Sequence, residues 1–251
     1  DQDTEPPVTA ARSNAAQLGV LTAAKVAANT ALRWVGLFLP TLERGFGTTT
    51  GTLTGVMGVA ELGGLTTLAT GTWLDRGRER IIATLGLAAI AASSIIALGG
   101  SVPTFALSFL ILVVGVSNLT AAGHAWIGHR VEYRRRGRAI GAFETSWAIA
   151  LLVGAPLIAL LITRFGWRGP YTALAIASAL AAVMVVRLLP RDDEAHDFGR
   201  APERVPLPRS AWLPMLASAS TAAAGLGTFV VSGTWLDERH GVSTGGLGMI
   251  A

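Results

Sequence analysis

Long apolar runs separated by short polar stretches dominate the chain. Seven of them are long enough to cross the hydrocarbon core of a bilayer as helices, which takes about 20 residues. From Ile81 to His129 there is no Asp, Glu, Lys or Arg, and the turn residues at 99–103 divide this stretch into two spans. The pattern predicts an all-α, polytopic membrane protein. The spans are residues 17–40, 52–74, 81–100, 103–127, 139–162, 170–190 and 211–235, and an eighth begins near Thr244.

The composition supports lipid as the environment of these helices. The chain is 51% hydrophobic and 14% charged, with a mean hydropathy of +0.51, whereas a soluble domain has about 25% charged residues. There is no cysteine, which excludes disulfides and thiolate chemistry. The pI of about 10.6 is typical of nucleic-acid binding. Here, however, the arginines lie between apolar runs, so we expect no nucleic-acid partner.

Arginine placement predicts the orientation in the membrane. Residues 75–80, 128–138 and 191–210 are rich in arginine, while the alternate loops are poor in it. By the positive-inside rule, these three segments and the N-terminus face the cytoplasm. Segment 191–210 also has prolines, mixed charge and no periodicity, so it is the predicted linker between two bundles.

A weak internal repeat favours two six-helix units. Residues 42–53 (LERGFGTTTGTL) and 236–247 (LDERHGVSTGGL) share leucines, glycines and a threonine, and this register pairs helix 1 with helix 7. A rival register pairs GTWLD at 71–75 with GTWLD at 233–237, but it would map an inner helix end onto an outer one. We therefore expect a tail (1–16), a six-helix bundle (17–190), a linker (191–210) and the start of a second bundle (211–251). Because the chain lacks an initial Met and ends within an apolar run, we expect a fragment or a processed protein.

Three stretches resemble the major facilitator superfamily. GTWLDRGRER at 71–80 is similar to the family's loop between helices 2 and 3, YRRRGRAIG at 133–141 to the start of helix 5, and RFGWRGPY at 164–171 to the turn into helix 6. Together these stretches cover the N-terminal half in the order that the family has. Within the superfamily they resemble the bacterial efflux-permease-like branch. The first loop is one residue short between Asp and the Gly-basic pair, and no arginine lies between Phe105 and Ile127. The chain thus resembles the superfamily as a whole but departs from the pattern of its proton-driven drug antiporters.

The resemblance implies a secondary active transporter that moves a small organic solute by alternating access, with proton-coupled efflux as one form. It implies a multi-pass protein of the bacterial cytoplasmic membrane, monomeric at full length, whose partners are the solute, protons and the bilayer. No cofactor or metal is expected. An enzyme is not predicted either, since HExxH and GxSxG motifs are absent. The alternative is a seven-helix receptor or sensor without transport activity.

Ionisable residues within membrane spans are unfavourable, and their presence therefore suggests function. Arg33 and Glu61 lie at similar depths from the outer side, close enough for an ion pair across adjacent helices, and Lys25 and Glu144 could form a second pair. The competing interpretation is that each charge is merely satisfied within the bundle or snorkels to the interface. The predicted cavity residues are Arg33, Glu61, Asn29, Asn118 and Trp147, and the predicted proton-coupling residues are Glu144, Lys25 and His124. Pro156 predicts a kink, and thus a hinge, in helix 5.

The resemblance also implies a cytoplasmic gate, in which Asp75 and the neighbouring arginines form a latch. The simpler interpretation is an ordinary solvated, positive-inside loop. The gate residues are Gly71, Asp75, Arg76, Gly77, Arg78, Arg136, Gly137 and Arg138.

Overall fold

The computed structural model describes residues 8–191, 208–243 and 246, and helices joined by short turns make up this part of the chain, with no strand in it. The predicted all-α class is confirmed. Two 3₁₀ segments (Glu61–Leu65 and Arg209–Ala211) and one π-helical segment (Ala150–Gly154) interrupt or precede the α-helices. The α-helices are α1 (Val8–Leu37), α2 (Leu39–Phe46), α3 (Thr50–Ala60), α4 (Thr66–Leu74), α5 (Glu79–Ala97), α6 (Val102–Arg130), α7 (Tyr133–Glu144), α8 (Ser146–Ile149), α9 (Ala155–Phe165), α10 (Arg168–Leu188) and α11 (Trp212–His240).

Four helical segments of the described chain are long and apolar enough to cross a membrane. They are Glu79–Ala97, Val102–Arg130, Tyr133–Phe165 and Arg168–Leu188. These match the third to sixth predicted spans. The first, second and seventh predicted spans coincide with α1, with α3–α4 and with α11, and their crossing of the bilayer stays a prediction.

Some predicted boundaries differ from the structure or lie beyond the described residues. Helix α1 begins at Val8, well before the predicted start at residue 17, because the segment Val8–Gln17 has no proline and is rich in alanine. Most of the predicted linker (192–207) and the start of the eighth span (244–245 and 247–251) lie outside the described residues.

Helix α6 lies at the centre of the bundle. It packs closely along α5, contacts α1, α3, α4 and α7, and buries Phe105, Leu119 and Trp126 almost completely. At the crossing of α5 and α6, a Cβ on Gly86 would lie 2.8 Å from the Gly115 carbonyl oxygen, and a Cβ on Gly115 would lie 2.6 Å from the Gly86 carbonyl oxygen. Only glycine permits this approach, which brings the two backbones into direct van der Waals contact.

Two of the spans are not continuous α-helices. Between α3 and α4 the backbone tightens into the 3₁₀ segment Glu61–Leu65, and between α8 and α9 it widens into the π segment Ala150–Gly154. Pro156 lies just after the π segment and has no N–H to donate to the carbonyl of Leu152. The helix is therefore irregular near Pro156, where a kink is predicted, and the irregularity is this π-helical segment. Such interruptions are common at functional sites.

Helix α11 contacts α1 and α2. Leu236 and Val242 pack against the core, and Arg44 Nη1 lies 3.9 Å from Asp237 Oδ2. Most of the described α11 side chains are exposed, which differs from α1 and α6. The helix therefore lies along the edge of the bundle and is not packed within it. That a second six-helix unit begins here stays a prediction.

Candidate functional site

One face of α1 carries three polar residues through the middle of the bundle. Lys25, Asn29 and Arg33 are four residues apart, so they share a face of the helix. All three are buried, with exposed fractions of 1%, 3% and 9%. Helices α7 and α8 cover this face, and each of the three residues meets a side chain there.

Lys25 contacts Glu144, the last residue of α7. Lys25 Nζ lies 2.6 Å from Glu144 Oε1, and His124 Nε2 of α6 lies 2.9 Å from the same oxygen. The pair suggested by depth is thus formed. The side chains of Glu144 and His124 are 39% and 44% exposed, whereas that of Lys25 is 2% exposed. The carboxylate therefore joins a buried ammonium group to the open face of the bundle.

Phe143 shapes the floor of this group. Lys25 Nζ lies 4.1 Å from the centroid of the Phe143 ring, and the His124 ring meets Phe143 edge-on at 5.4 Å. The Phe143 ring also contacts α6 at Gly123, where a Cβ would clash with it. The absence of a side chain at residue 123 thus makes room for the aromatic ring beneath Lys25. An ammonium group over an aromatic face is attracted by the ring quadrupole.

Asn29 and Arg33 make the next two contacts along α1. Asn29 Nδ2 donates to Ser146 Oγ at 3.1 Å, and Ser146 is fully buried. The Arg33 guanidinium carbon lies 2.8 Å from the centroid of the Trp147 ring. Arg33 Nε is buried and has no hydrogen-bond partner among the described residues. Stacking, and not an ion pair, holds this guanidinium in place.

The ion pair that their depths allow between Arg33 and Glu61 is not formed, while the cavity role of the two residues stays a prediction. No nitrogen of Arg33 lies within 4.0 Å of a Glu61 carboxylate oxygen, although the two charges interact electrostatically. Glu61 begins the 3₁₀ segment and is exposed. Equal depth along two helices therefore does not ensure contact between their side chains.

Asn118 is engaged in bracing contacts. Its Nδ2 donates to Thr66 Oγ1 at 2.9 Å and to the Val114 carbonyl at 2.8 Å, while its Oδ1 accepts from Thr70 Oγ1 at 2.6 Å. The amide thus ties α6 to α4 with nearly all of its hydrogen-bonding capacity. These contacts give Asn118 a structural role. Its role in the cavity stays a prediction.

The first part of the predicted gate is the turn between α4 and α5. Gly77 has a φ of +74°, and the Arg78 N–H bonds back to the Trp73 carbonyl at 3.2 Å, so the turn ends α4 tightly. The Arg78 guanidinium lies 5.2 Å from the Trp73 ring centroid. Asp75 is exposed and makes no ion pair with any described residue. A Cβ on Gly71 would meet nothing within 4 Å in the described structure, so this glycine serves no close helix contact there.

The second part of the predicted gate begins α7. Arg136 Nε donates to the Val131 carbonyl at 3.0 Å and so supports the turn after α6. Arg138 lines a cleft of about 670 Å³ between α1, the end of α6 and α7. A Cβ on Gly137 would meet nothing within 4 Å among the described residues. The structure thus brings Arg138 to the mouth of the bundle but does not join it to Asp75.

Sequence reasoning missed two parts of this arrangement. Ser146 is the buried partner of Asn29, and its position between Glu144 and Trp147 was the available signal. A buried carboxylate was also missed: Glu79, 2% exposed, bonds to His129 Nδ1 and ties the start of α5 to the end of α6. Its arginine-rich surroundings made it look like part of a solvated loop.

The family model for the Major Facilitator Superfamily matches residues 21–251. The chain belongs to this superfamily. The resemblance stated from the three loop motifs is therefore confirmed. No curated protein matches the sequence.

Structural comparison gives the same fold for this superfamily member. The chain is similar to a bacterial homologue of the human lysosomal transporter Spinster, solved in an inward-facing and unoccupied conformation. The TM-score is 0.72 at 14% sequence identity, and the match covers 98% of this chain and 59% of that one. The chain thus spans little more than half the length of the matched structure. At this identity the similarity establishes the fold alone, and a multi-pass membrane protein is supported by membership in the superfamily and by the four long apolar helices.

Proposed function

We propose that these residues form the first bundle of a secondary active transporter that moves a small organic solute by alternating access. The observation that carries the proposal is the set of paired polar side chains along α1: Lys25 with Glu144, Asn29 with Ser146, and Arg33 with Trp147. Buried charges within membrane spans are energetically unfavourable, so their presence suggests a function. Membership in this superfamily favours transport over the receptor alternative and over an enzyme.

Arg33 is the proposed anchor for the solute. Its guanidinium is stacked on Trp147, a side chain that is 42% exposed, and Glu61 stands near it without pairing. A guanidinium without a paired carboxylate binds carboxylate or phosphate groups well, because its donors are already oriented. We therefore propose that the solute carries a negative or strongly hydrogen-bond-accepting group, with Trp147, Glu61 and Asn29 shaping the same wall.

Glu144 is the proposed proton-coupling group. Two basic side chains contact a single carboxylate oxygen, one of them buried and the other open to the exposed face. Protonation of the carboxylate would release Lys25, and a charge freed at the middle of a span could couple proton movement to rearrangement of α1 against α7. The proposal also includes efflux as the direction of transport, a bacterial cytoplasmic-membrane location, a cytoplasmic N-terminus and a monomeric full-length protein. Gating at Asp75, Arg76, Arg78, Arg136 and Arg138 belongs to it as well.

Reconstituted transport tests the proposal. Full-length protein in proteoliposomes is offered a panel of anionic, neutral and cationic solutes, with and without a pH gradient. Arg33→Ala should abolish transport of the accepted solute while leaving membrane insertion intact, and Arg164→Ala, which removes an exposed arginine at the end of α9, should transport normally. Normal transport by Arg33→Ala would show that Arg33 is only structural.

A second pair of variants tests the coupling. Glu144→Gln should lose the response to the pH gradient but keep solute exchange between the two sides, because the amide keeps the shape and loses the titrating group. The matched control is Glu132→Gln, which changes an exposed carboxylate whose ion pair among the described residues is with Arg135, three residues on. A pH response equal to that of the wild type in Glu144→Gln would remove the coupling role.

A further inference from the structure

Two consecutive residues at the end of α7 contact the ammonium group of Lys25. Lys25 Nζ lies 2.6 Å from Glu144 Oε1 and 4.1 Å from the centroid of the Phe143 ring. Lys25 and Phe143 are 1% and 0% exposed, whereas the side chain of Glu144 is 39% exposed. The ammonium group thus has one partner that is open to the exposed face of the bundle and one that is not.

The position of the Phe143 ring is fixed by the packing of α7 on α6. A Cβ on Gly123 would lie 2.8 and 2.9 Å from Cε1 and Cε2 of this ring, so the absence of a side chain at residue 123 is what leaves room for it. The ring of His124, on the same helix, meets Phe143 edge-on with the centroids 5.4 Å apart. These contacts are apolar or aromatic, so they hold the ring in place whether or not Glu144 carries a proton.

The charged groups near Lys25 include a single acid. Among the described residues, the charged groups that interact with Lys25 are Glu144 of α7 and Arg33 of its own helix. The other helices that pack against α1 bring no described charged group to Lys25, although His124 of α6 bonds to Glu144 Oε1 at 2.9 Å. Arg33 is a like charge and does not stabilise the ammonium group. When Glu144 is protonated, Phe143 is therefore the described side chain in contact with Lys25 that still attracts a cation.

We propose that Phe143 is the second partner of Lys25 and holds the ammonium group whenever Glu144 is protonated. A protonated carboxyl group donates its hydrogen, and His124 Nε2 accepts it when the neutral imidazole carries its own proton on Nδ1. Glu144 then bonds to His124, and Lys25 keeps its charge over the aromatic face. The switch is between an ion pair and a cation–π contact. This inference rests on the proton-coupling role proposed for Glu144.

The two states use the ring to different extents. While the carboxylate is charged, its repulsion by the negative face of the ring offsets part of the attraction of the ammonium group. Once the carboxyl group is neutral, the ammonium group interacts with the ring alone, and a desolvated contact of this kind contributes a factor of about five or more to an equilibrium constant. Weakening the ring quadrupole should therefore disfavour the protonated state and move the pH response of transport to lower pH.

The test is a triple-mutant cycle on the full-length protein, measured by equilibrium unfolding in detergent. A trifluorinated phenylalanine at residue 143 removes most of the ring quadrupole and nearly keeps its shape, Lys25→Met removes the cation, and Glu144→Gln stands in for the protonated carboxyl group. In the Glu144→Gln background, the coupling between ring and cation should be about fivefold in the unfolding equilibrium constant, against less than about twofold with Glu144. A monofluorinated ring is the milder variant and should give an intermediate coupling.

Transport gives a second measurement that a purely structural role of the ring would not move. In proteoliposomes, the trifluorinated ring at residue 143 should lower the midpoint pH of the transport response by about 0.7 unit, which is about fivefold in proton concentration. The matched control is the same substitution at Phe109, a buried ring of α6 that packs on Phe105 and has no cation over it among the described residues. The control should leave both the coupling and the midpoint unchanged.

Equal coupling in the two backgrounds, or no coupling in either, would overturn the proposal and leave Phe143 as a packing residue. An unchanged midpoint with the trifluorinated ring, in a protein that keeps its pH response, would overturn it as well. The coupling role of Glu144 fails by a different result, a wild-type pH response in Glu144→Gln. In that case the unfolding cycle still decides whether the ring holds Lys25, because it measures neither transport nor pH.

Discussion

The contact between α5 and α6 and the contact between α1 and α7–α8 are both buried, but different forces hold them. Between α5 and α6, Gly86 and Gly115 let the backbones touch, and the buried hydroxyls of Ser93 and Ser94 bond to the Ile90 carbonyl of their own helix. Between α1 and α7–α8, charged and amide side chains bond across the gap, as in the pair of Lys25 and Glu144.

The difference teaches which part of the bundle can change partners. Dispersion between close-packed backbones has a single good arrangement and weakens steeply when the helices separate. Side chains such as Lys25, Glu144 and His124 can exchange one hydrogen-bond partner for another, or for water or a solute. We infer that α5 and α6 form the rigid scaffold and that α1 with α7–α8 forms the adjustable wall.

The largest expected effect comes from breaking the scaffold. Gly115→Leu places a side chain where the Gly86 carbonyl oxygen lies 2.6 Å away, so we expect the protein to lose about 3 kcal/mol of stability or fail to fold. Thermal unfolding and size-exclusion yield in detergent measure this. Gly128→Leu is the control, because a Cβ at this site of the same helix meets no described atom within 4 Å. Equal stability of the two variants would contradict the scaffold role.

Removing the buried charge in the adjustable wall should have the next largest effect. Lys25→Met leaves Glu144 with His124 alone, and because the carboxylate is 39% exposed, we expect a loss of about 1–2 kcal/mol in stability. Transport should fall at least tenfold. The double variant Lys25→Met/Glu144→Gln should regain part of the stability, because no unpaired charge remains. It should regain none of the coupled transport, because the titrating carboxylate is lost. Transport at the normal rate in Lys25→Met would show that the pair is only a packing element.

A smaller effect is expected at the brace between α6 and α4. Asn118→Ala removes two interhelical hydrogen bonds, which in membranes are worth about 0.6 kcal/mol each, so stability should fall by about 1 kcal/mol. Transport per folded molecule should be kept. A double-mutant cycle with Thr70→Ala isolates one of the two hydrogen bonds. A coupling energy near zero would contradict the bracing role of Asn118.

The smallest effect is expected where α11 meets α2. The pair of Arg44 and Asp237 is 3.9 Å apart and the arginine side chain is 65% exposed, so Arg44→Gln should change stability by less than about 0.5 kcal/mol. Thermal unfolding at low and high salt measures this. A large, salt-sensitive loss would show that this contact holds α11 in place.

The sequence by itself determined the fold class, the positions of four long apolar spans and the superfamily. Apolar runs of this length have few alternatives to membrane helices, since backbone groups in lipid must bond within the chain. It also supplied the charged residues of the site, and depth alone was enough to suggest that Lys25 meets Glu144.

Only the tertiary structure decided the partners of Arg33 and Asn118. Depth along a helix is one coordinate, whereas contact also depends on the rotation of the helix about its axis. In the folded bundle Arg33 stacks on Trp147 of α8, and Glu61 at the start of the 3₁₀ segment stands apart from it. Asn118 likewise meets Thr66 and Thr70 because of the way α4 packs on α6. Periodicity in one chain segment contains no information on that packing, because the energy that fixes it comes from contacts with residues far away in sequence.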